Sequence, residues 1–154
     1  MAGQKILLPY NFTPWDQKAL DFVIRTFIPP PETQITIFHA YTPVPEIETE
    51  GSTVMDKMKG NLSYLSKMVS DQEESLKTAK EYLVKNGFLS DQVDYIFKPR
   101  DKDVASEIID LVSTDRFDLI VMNHKPGKIT RFFTGSNFNK VVSSLKDMTL
   151  CLVT

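Results

Sequence analysis

Short, nearly continuous apolar runs recur along the whole chain. Runs of this kind, without a regular polar face, are typical of strands that are buried on both sides of a sheet. Two further segments alternate apolar and polar residues, which also predicts strands. Together these patterns predict five strands, at Ile6–Tyr10, Gln34–Ala40, Val93–Phe97, Phe117–Met122 and Thr149–Val153.

The segments between the strands have apolar residues at helical spacing, and their ends have the expected start and stop signals. Thr13 is predicted to be the N-cap of the first helix with Pro14 at its first position, and Gly87 ends the long second helix. The apolar residues of the second helix form a stripe along one side, which suits either a coiled-coil seam or a surface that faces the core. The polar residue Gln72 interrupts this stripe and favours the core-facing surface. Four helices are predicted, at Ala19–Phe27, Met58–Leu83, Val104–Val112 and Asn137–Leu145.

Strands and helices therefore alternate from one end of the chain to the other. Such alternation, with strands that are mostly apolar, predicts an α/β fold in which a five-stranded, parallel, doubly wound sheet of Rossmann-like type has helices on both faces. The length of 154 residues fits one such domain, covering residues 1–154.

Composition and charge exclude several classes of protein. The net charge is -2, with a pI near 5.7, so neither nucleic-acid binding nor attachment to a membrane through basic residues is expected. Apolar runs are too short to span a bilayer or to form a signal-peptide core, which predicts a cytoplasmic protein. Cys151 is the only cysteine and lies in an apolar run, which favours a buried, unreactive thiol.

The segment 117–142 has the pattern of an anion pocket, since a strand leads through a basic loop into a helix. Backbone N–H groups and the helix dipole meet at such a helix start, here at Gly135 and Ser136. The cations Lys125, Lys128 and Arg131 of the loop are candidates for pairing with phosphate oxygens. The alternative is that they are solvent-exposed side chains without a partner, and that Ser136 and Asn137 only cap the helix.

The sequence contains little that predicts catalysis. Its two histidines, His39 and His124, lie on different loops without cysteines or clustered carboxylates at metal-ligand spacing. Motifs of hydrolases, zinc peptidases and Walker-type nucleotide sites are absent from the sequence. Asp101 and Asp103 are predicted to support the start of the third helix. We therefore predict a protein that is not an enzyme, or at most hydrolyses nucleotides slowly.

Three stretches of the chain, taken in order, resemble the universal stress protein family. KILLPYNFTPWDQKALDFV is similar to the family's first strand and helix, and ITIFHAYTPVP to its second strand, which ends in His and a small apolar residue. FDLIVMN, then GSNFNKVV and a closing strand are similar to its last part. The resemblance covers nearly the whole chain and implies the strand order 3-2-1-4-5 and, usually, a dimer.

Nucleotide-binding members of that family have a glycine motif from which this chain departs. Asn123 and Pro126 stand where the first two glycines are expected, and Asn11 stands in place of an Asp after the first strand. Asn123 is the mildest change, because Asn adopts positive φ more readily than most residues. Pro126 is the most damaging, since it has no N–H for a phosphate, although Gly127 could supply one after a one-residue shift.

The resemblance implies a candidate nucleotide site and leaves three hypotheses for its use. The first is a regulatory or binding module of the stress response with weak or absent adenine-nucleotide binding. The second is a protein that binds ATP or AMP, with Mg²⁺, through Gly127, Gly135, Ser136 and the basic loop. The third is an enzyme of the ATP-pyrophosphatase or nucleotidyl-transferase type, whose motifs are missing. The candidate residues are Pro9, Asn11, Ala40, Met122, Asn123, Lys125, Gly127, Lys128, Arg131, Gly135, Ser136 and Asn137.

The closing strand is the predicted site of self-association. It is apolar, and the resemblance places it at a sheet edge, where an unprotected strand favours pairing with another chain. We expect a homodimer formed through Leu150, Cys151, Leu152 and Val153. A monomer whose edge is covered by other parts of the chain is the alternative.

Overall fold

A computed structural model describes residues 3–28, 32–45, 53–123 and 141–154 of the chain. Residues 141–144 are helical as well, and a single 3₁₀ turn, Ser90–Gln92, precedes the third strand. The strands are β1 (Lys5–Pro9), β2 (Gln34–Tyr41), β3 (Val93–Pro99), β4 (Leu119–Asn123) and β5 (Thr149–Val153). The helices are α1 (Asp16–Phe27), α2 (Thr53–Lys85) and α3 (Val104–Thr114).

The strands form one parallel sheet in the order β3-β2-β1-β4-β5. Strand order reverses between β1 and β4, which pair through Ile6 with Leu119 and Leu7 with Ile120. The predicted five-stranded Rossmann-like sheet with this strand order is therefore confirmed. In such a sheet, ligands bind at the carboxyl ends of the strands beside the reversal point, so this edge of the molecule is where a site is expected.

Helices α1 and α2 cover one face of the sheet. Strands buried on both faces alternate their side chains between two cores, and Ile6, Leu8 and Ile37 point into this one. Ala19, Leu20 and Val23 of α1 and Leu76, Ala79 and Leu83 of α2 pack against them.

The opposite face is covered by α3 and by the helical residues 141–144. Leu7, Phe38 and Ile120 alternate with the residues of the first core and point into this second one. Ala105, Ile108 and Val141 pack against them from the helices. Helices on both faces are thus confirmed, and the two cores hold the sheet rigid beneath the carboxyl edge.

The long helix α2 is packed differently along its length. At about 1.5 Å per residue its 33 residues extend about 50 Å, whereas β2, the longest strand, has eight residues and spans about 27 Å. Leu76, Ala79 and Leu83 are fully buried, which confirms the core-facing prediction for this half. Towards its N-terminus Val69 is only half-buried and Tyr64 is 68% exposed.

Gly87 ends α2 as predicted, with φ of +126°. A Cβ at this position would lie 3.0 Å from Ile28 Cδ1 at the end of α1. A side chain there would therefore be strained by both the backbone and the neighbouring helix.

Three predictions of local structure are wrong or need correction. Helix α1 begins at Asp16, two residues later than Pro14, because residues 13–16 form a separate turn in which the Asp16 N–H donates to the Thr13 carbonyl at 3.1 Å. Asn123 is the last residue of β4 and does not have a positive φ. The argument that Asn replaces glycine mildly here because it adopts positive φ therefore does not hold. Cys151 is only partly buried, since β5 is an edge strand with one neighbour.

Candidate functional site

A buried carboxylate, that of Asp16, organises the loop that follows β1. The side chain is 1% exposed and accepts the backbone N–H of Thr13 at 2.7 Å and that of Asn11 at 3.2 and 3.3 Å. The side-chain amide of Asn123, from the end of β4, donates a further hydrogen bond to it. Asp16 therefore connects the carboxyl ends of β1 and β4, the two strands that flank the reversal of strand order.

Burial sets the protonation behaviour of this carboxyl. Removal from water raises the pKa of Asp16 above its ordinary value of 3.8, and this effect exceeds the opposing effect of the hydrogen bonds from Thr13, Asn11 and Asn123. The partner at Asn123 is a neutral amide, so this partner provides no positive charge to offset the cost of burying the carboxylate.

The residue between these two anchored amides has an uncommon backbone. Phe12 has φ of 59°, a left-handed conformation that is costly for a bulky side chain. Its ring packs edge-on against Tyr10, at 5.2 Å between centroids, and against His39, at 4.6 Å. Such aromatic contacts stabilise the loop by about 0.5–1.5 kcal/mol each and so help to hold the conformation.

His39 lies at the end of β2 and connects this loop to the neighbouring strand. Its Nδ1 is 2.8 Å from the carbonyl oxygen of Tyr10, and its ring stacks on Phe97 of β3 at 6.1 Å. Burial lowers the pKa of His39 below its ordinary value, the bond to Tyr10 opposes this shift, and the charge of Arg100 adds to it. This geometry indicates a structural role for His39, which joins the loop after β1 to β2 and β3.

A cleft of about 500 Å³ opens above the carboxyl ends of β1, β2 and β3. Its floor is formed by Asn11, His39 and Ala40, and α2 forms one wall. This volume lies in the range of small-molecule sites, about 300–1,000 Å³. Its lining residues are Asn11, His39, Ala40, Thr42, Met68, Val69, Gln72, Arg100 and Val104.

A second buried carboxylate supports the loop on the other side of the cleft. Glu107 of α3 accepts the backbone N–H groups of Asp101, at 2.8 Å, and Lys102, at 3.2 Å, and pairs with Lys98 Nζ at 2.7 Å. The bond to Lys98 lowers the pKa of Glu107, and the two N–H groups act in the same direction against the effect of burial. The adjacent Asp103 is the N-cap and accepts the Ser106 N–H at 2.8 Å, as predicted for this helix start.

The predicted site residues are only partly brought together. Asn11 and Ala40 line the cleft, and the backbone of Asn11 and the side chain of Asn123 meet at Asp16. Pro9 is buried at the end of β1, and the side chain of Met122 is buried in the core beneath α3, away from the cleft. Lys125, Gly127, Lys128, Arg131, Gly135, Ser136 and Asn137 lie outside the described residues.

The sequence reasoning missed Asp16, Arg100 and the residues of α2 that line the cleft. A local signal for Asp16 was present, because Thr13-Pro-Trp-Asp16 has the spacing of a capping box, in which the acid of the first turn accepts the N–H of the cap residue. Gln72 was seen only as an interruption of an apolar stripe. Its place in the cleft depends on how α2 crosses the sheet, which no local pattern predicts.

Two searches of the described residues give negative results. In the described ranges, no group of three or more His, Cys, Asp or Glu side chains is arranged to hold a metal ion. None of the helices, as far as the structure describes them, is long and apolar enough to cross a membrane.

Comparison with known families identifies the class of protein. The model of the universal stress protein family matches residues 3–152, and the chain therefore belongs to this family. Comparison with curated protein sequences gives no match.

Solved structures agree with this assignment at the level of the fold. The universal stress protein UspA from Lactobacillus plantarum has a TM-score of 0.64 and 14% identity, over 100% of this chain and 99% of that one. A universal stress protein from Archaeoglobus fulgidus in complex with dAMP has a TM-score of 0.61 and 14% identity, over 100% of both chains. A universal stress protein in complex with cAMP has a TM-score of 0.58 and 14% identity, over 99% of this chain and 98% of that one.

Proposed function

We propose that this chain is a regulatory binding module of the stress response, and that its cleft binds an adenine nucleotide weakly. The observation that carries the proposal is the cleft of about 500 Å³ at the carboxyl edge, with Asn11 and Ala40 in its floor. The complexes of two structural neighbours with dAMP and cAMP support a nucleotide as the ligand.

The chemistry of the floor suits a base and its ribose. Ala40 and Val69 provide apolar surface, while the side chain of Asn11 keeps an oxygen acceptor and an amide donor for a hydroxyl or an amine. Compared with an Asp at this position, Asn11 lacks the charge. Its hydrogen bond is neutral in place of charge-assisted, which costs about 1 kcal/mol, or about five-fold in affinity. This is why weak binding is proposed.

The second candidate function is authentic binding of ATP or AMP, with Mg²⁺, by the loop after β4. In this hypothesis Gly127 supplies the N–H that Pro126 lacks, and Gly135, Ser136 and the basic loop hold the phosphates. The sequence motif favours it, because glycine and a hydroxyl residue at a helix start are suited to phosphate binding.

Titration calorimetry of the purified protein with ATP and AMP, with and without Mg²⁺, separates the two. Weak binding, in the range from about 100 μM to millimolar, supports the first function. Micromolar affinity that Gly135→Asp abolishes supports the second function and contradicts the first. No heat at millimolar ligand contradicts nucleotide binding altogether.

Absence of catalysis and a cytoplasmic location are further parts of this proposal. Asp16 is buried and accepts hydrogen bonds from two backbone N–H groups and from the amide of Asn123, so its carboxylate is not available to act on a ligand. Nucleotide turnover above a buffer control would contradict a purely binding role. Fractionation of cells that produce the protein checks the location.

A homodimer through β5 completes the proposal. This strand lies at the edge of the sheet, its five residues include no charge, and Leu152 is 45% exposed. An apolar edge strand of this kind favours pairing with a second copy around a two-fold axis. By contrast, β3 at the other edge contains Asp94, Lys98 and Pro99, which discourage such pairing.

Sedimentation at micromolar concentration tests the dimer. We expect a dimer mass for the wild type and a monomer mass for Leu152→Lys, because a charge at the paired edge would have to be buried. Leu89→Lys is the matched control, since Leu89 is 63% exposed and lies outside the strands. A monomer mass for the wild type would contradict the proposal.

A further inference from the structure

The lining of the cleft has a sign of charge opposite to that of the whole chain. Among the nine lining residues that the structure describes, the ionisable side chains are those of His39 and Arg100, and none is a carboxylate. The chain as a whole has a net charge of -2. In an acidic protein, a described lining with an arginine and without a carboxylate is electrostatically suited to an anionic ligand.

Arg100 is fixed at the rim of this cleft by its backbone. It follows β3 directly, and its N–H donates to the carbonyl of Tyr41 at 2.9 Å, which extends the pairing of β3 with β2 by one residue. The pKa of His39 lies below its ordinary value, mainly because the ring is buried and partly because the Arg100 charge lies nearby. The guanidinium of Arg100 therefore lies close enough to the His39 ring for its charge to act on that ring, and both residues line the cleft.

The charge of Arg100 is not neutralised by the residues that the structure describes. Within those residues Lys5, Lys77, Lys98 and Lys102 each form an ion pair, whereas Arg100 forms none. Glu107, the nearest buried carboxylate in sequence, is already occupied by Lys98 and two backbone N–H groups. Among the described residues, no carboxylate therefore occupies the Arg100 guanidinium, which can bind an oxyanion in bidentate geometry.

We infer that Arg100 holds the phosphate group of the nucleotide, so that the anion lies at the β3 side of the cleft and not only at the loop after β4. The inference rests on the proposed nucleotide binding and specifies where the charge of the ligand is recognised. It also agrees with the sequence of the β4 loop, in which Pro126 has no N–H to donate to a phosphate.

The test compares AMP with adenosine, which differ only in the phosphate. Calorimetry is carried out on the wild type, Arg100→Gln and, as matched control, Arg116→Gln, because Arg116 is exposed in the connection from α3 to β4. We expect Arg100→Gln to weaken AMP binding about ten-fold or more and to leave adenosine binding unchanged. Arg100→Lys should recover part of the loss, and Arg116→Gln should change neither ligand.

The outcomes separate this inference from the proposed function. If Arg100→Gln binds AMP as tightly as the wild type, or if AMP binds no better than adenosine, Arg100 does not hold the phosphate although nucleotide binding stands. If neither ligand binds the wild type, both the function and the inference are wrong. Unfolding curves for each variant check that a loss of binding is not a loss of fold.

Discussion

The two loops that flank the cleft are built in the same way around different buried acids. After β1, Asp16 accepts two backbone N–H groups of its own loop and one side-chain donor, the amide of Asn123. After β3, Glu107 also accepts two backbone N–H groups and one side-chain donor, the ammonium of Lys98. The difference between the loops is therefore the charge of a single partner.

That difference contributes to opposite directions of the pKa shift at the two acids. With a neutral amide as partner, burial dominates and the pKa of Asp16 is raised, whereas the ammonium partner dominates at Glu107 and its pKa is lowered. Both acids have little exposure, at 1% for Asp16 and 3% for Glu107, but burial is the largest cause of the pKa shift only at Asp16, so the depth of burial contributes as well. Backbone N–H groups can thus position a buried carboxylate in a loop, but a cation is needed to offset its desolvation.

The largest effect should come from truncation of either acid. Asp16→Ala and Glu107→Ala each leave two backbone N–H groups without their acceptor, which should cost about 3 kcal/mol of unfolding free energy. Urea denaturation measures the cost, with the exposed Asp91→Ala as control. A loss below about 0.5 kcal/mol at either site would show that water replaces the carboxylate there and that the loops are not equivalent.

A smaller effect is expected when the neutral partner of Asp16 is made acidic. Asn123→Asp places two carboxyls in contact, and both cannot be ionised in a buried site without a large cost. We expect a loss of about 2 kcal/mol at neutral pH that becomes smaller as the pH falls and one carboxyl takes up a proton. Asn123→Ala, which removes the donor without adding charge, should show a smaller recovery in denaturation curves at several pH values, because loss of the Asn123 hydrogen bond raises the pKa of Asp16 further.

The smallest effect is expected when the charge of each acid is removed and stability is followed as a function of pH. This also gives the most direct comparison of the two loops. The folded pKa of Asp16 is above 3.8, so its contribution to stability is present below that value and is lost as the pH rises through the raised pKa. The folded pKa of Glu107 is below 4.5, so its contribution is present above that value and is lost as the pH falls through the lowered pKa.

Stability relative to the wild type should therefore change in opposite directions in the two amide variants. Between about pH 3 and pH 7, Asp16→Asn should gain relative to the wild type as the pH rises, and Glu107→Gln should lose. We expect changes on the order of 1 kcal/mol or less, since Lys98 is 41% exposed and its pairing is screened by water. Thermal unfolding at several pH values measures these stability differences. If both variants changed in the same direction with pH, the charge of the partner residue would not control the direction of the pKa shift.

The fold was predictable because its signals are local. Each strand and helix has its own apolar period, and the Gly87 stop depends on one residue, so element types were predicted and strand boundaries differ by at most two residues. The strand order came from the resemblance of whole segments in sequence. The sequence of a single strand does not determine which other strand it pairs with.

The site was predictable only in part, because its contacts are distant in sequence. Asn11 and Ala40 were predicted from the resemblance to the family, and Asn11 also from its place after the first strand, where parallel topology gathers side chains. The bond between Asn123 and Asp16 joins residues 107 positions apart, and Asn123 was interpreted through backbone conformation although its side chain is what matters. Gln72 and Arg100 reach the cleft through packing of α2 and the end of β3, which local pattern does not encode.

The uneven packing of α2 has a consequence for how the molecule opens. Amide protons near Leu76 and Leu83 are protected by core packing and should exchange with solvent only when the whole domain unfolds. Those near Leu62 and Leu65, where the helix extends past the strands, should exchange through partial unfolding at lower free energy. Val69 in the cleft wall lies between these regions, so a bound ligand would extend slow exchange towards the helix N-terminus.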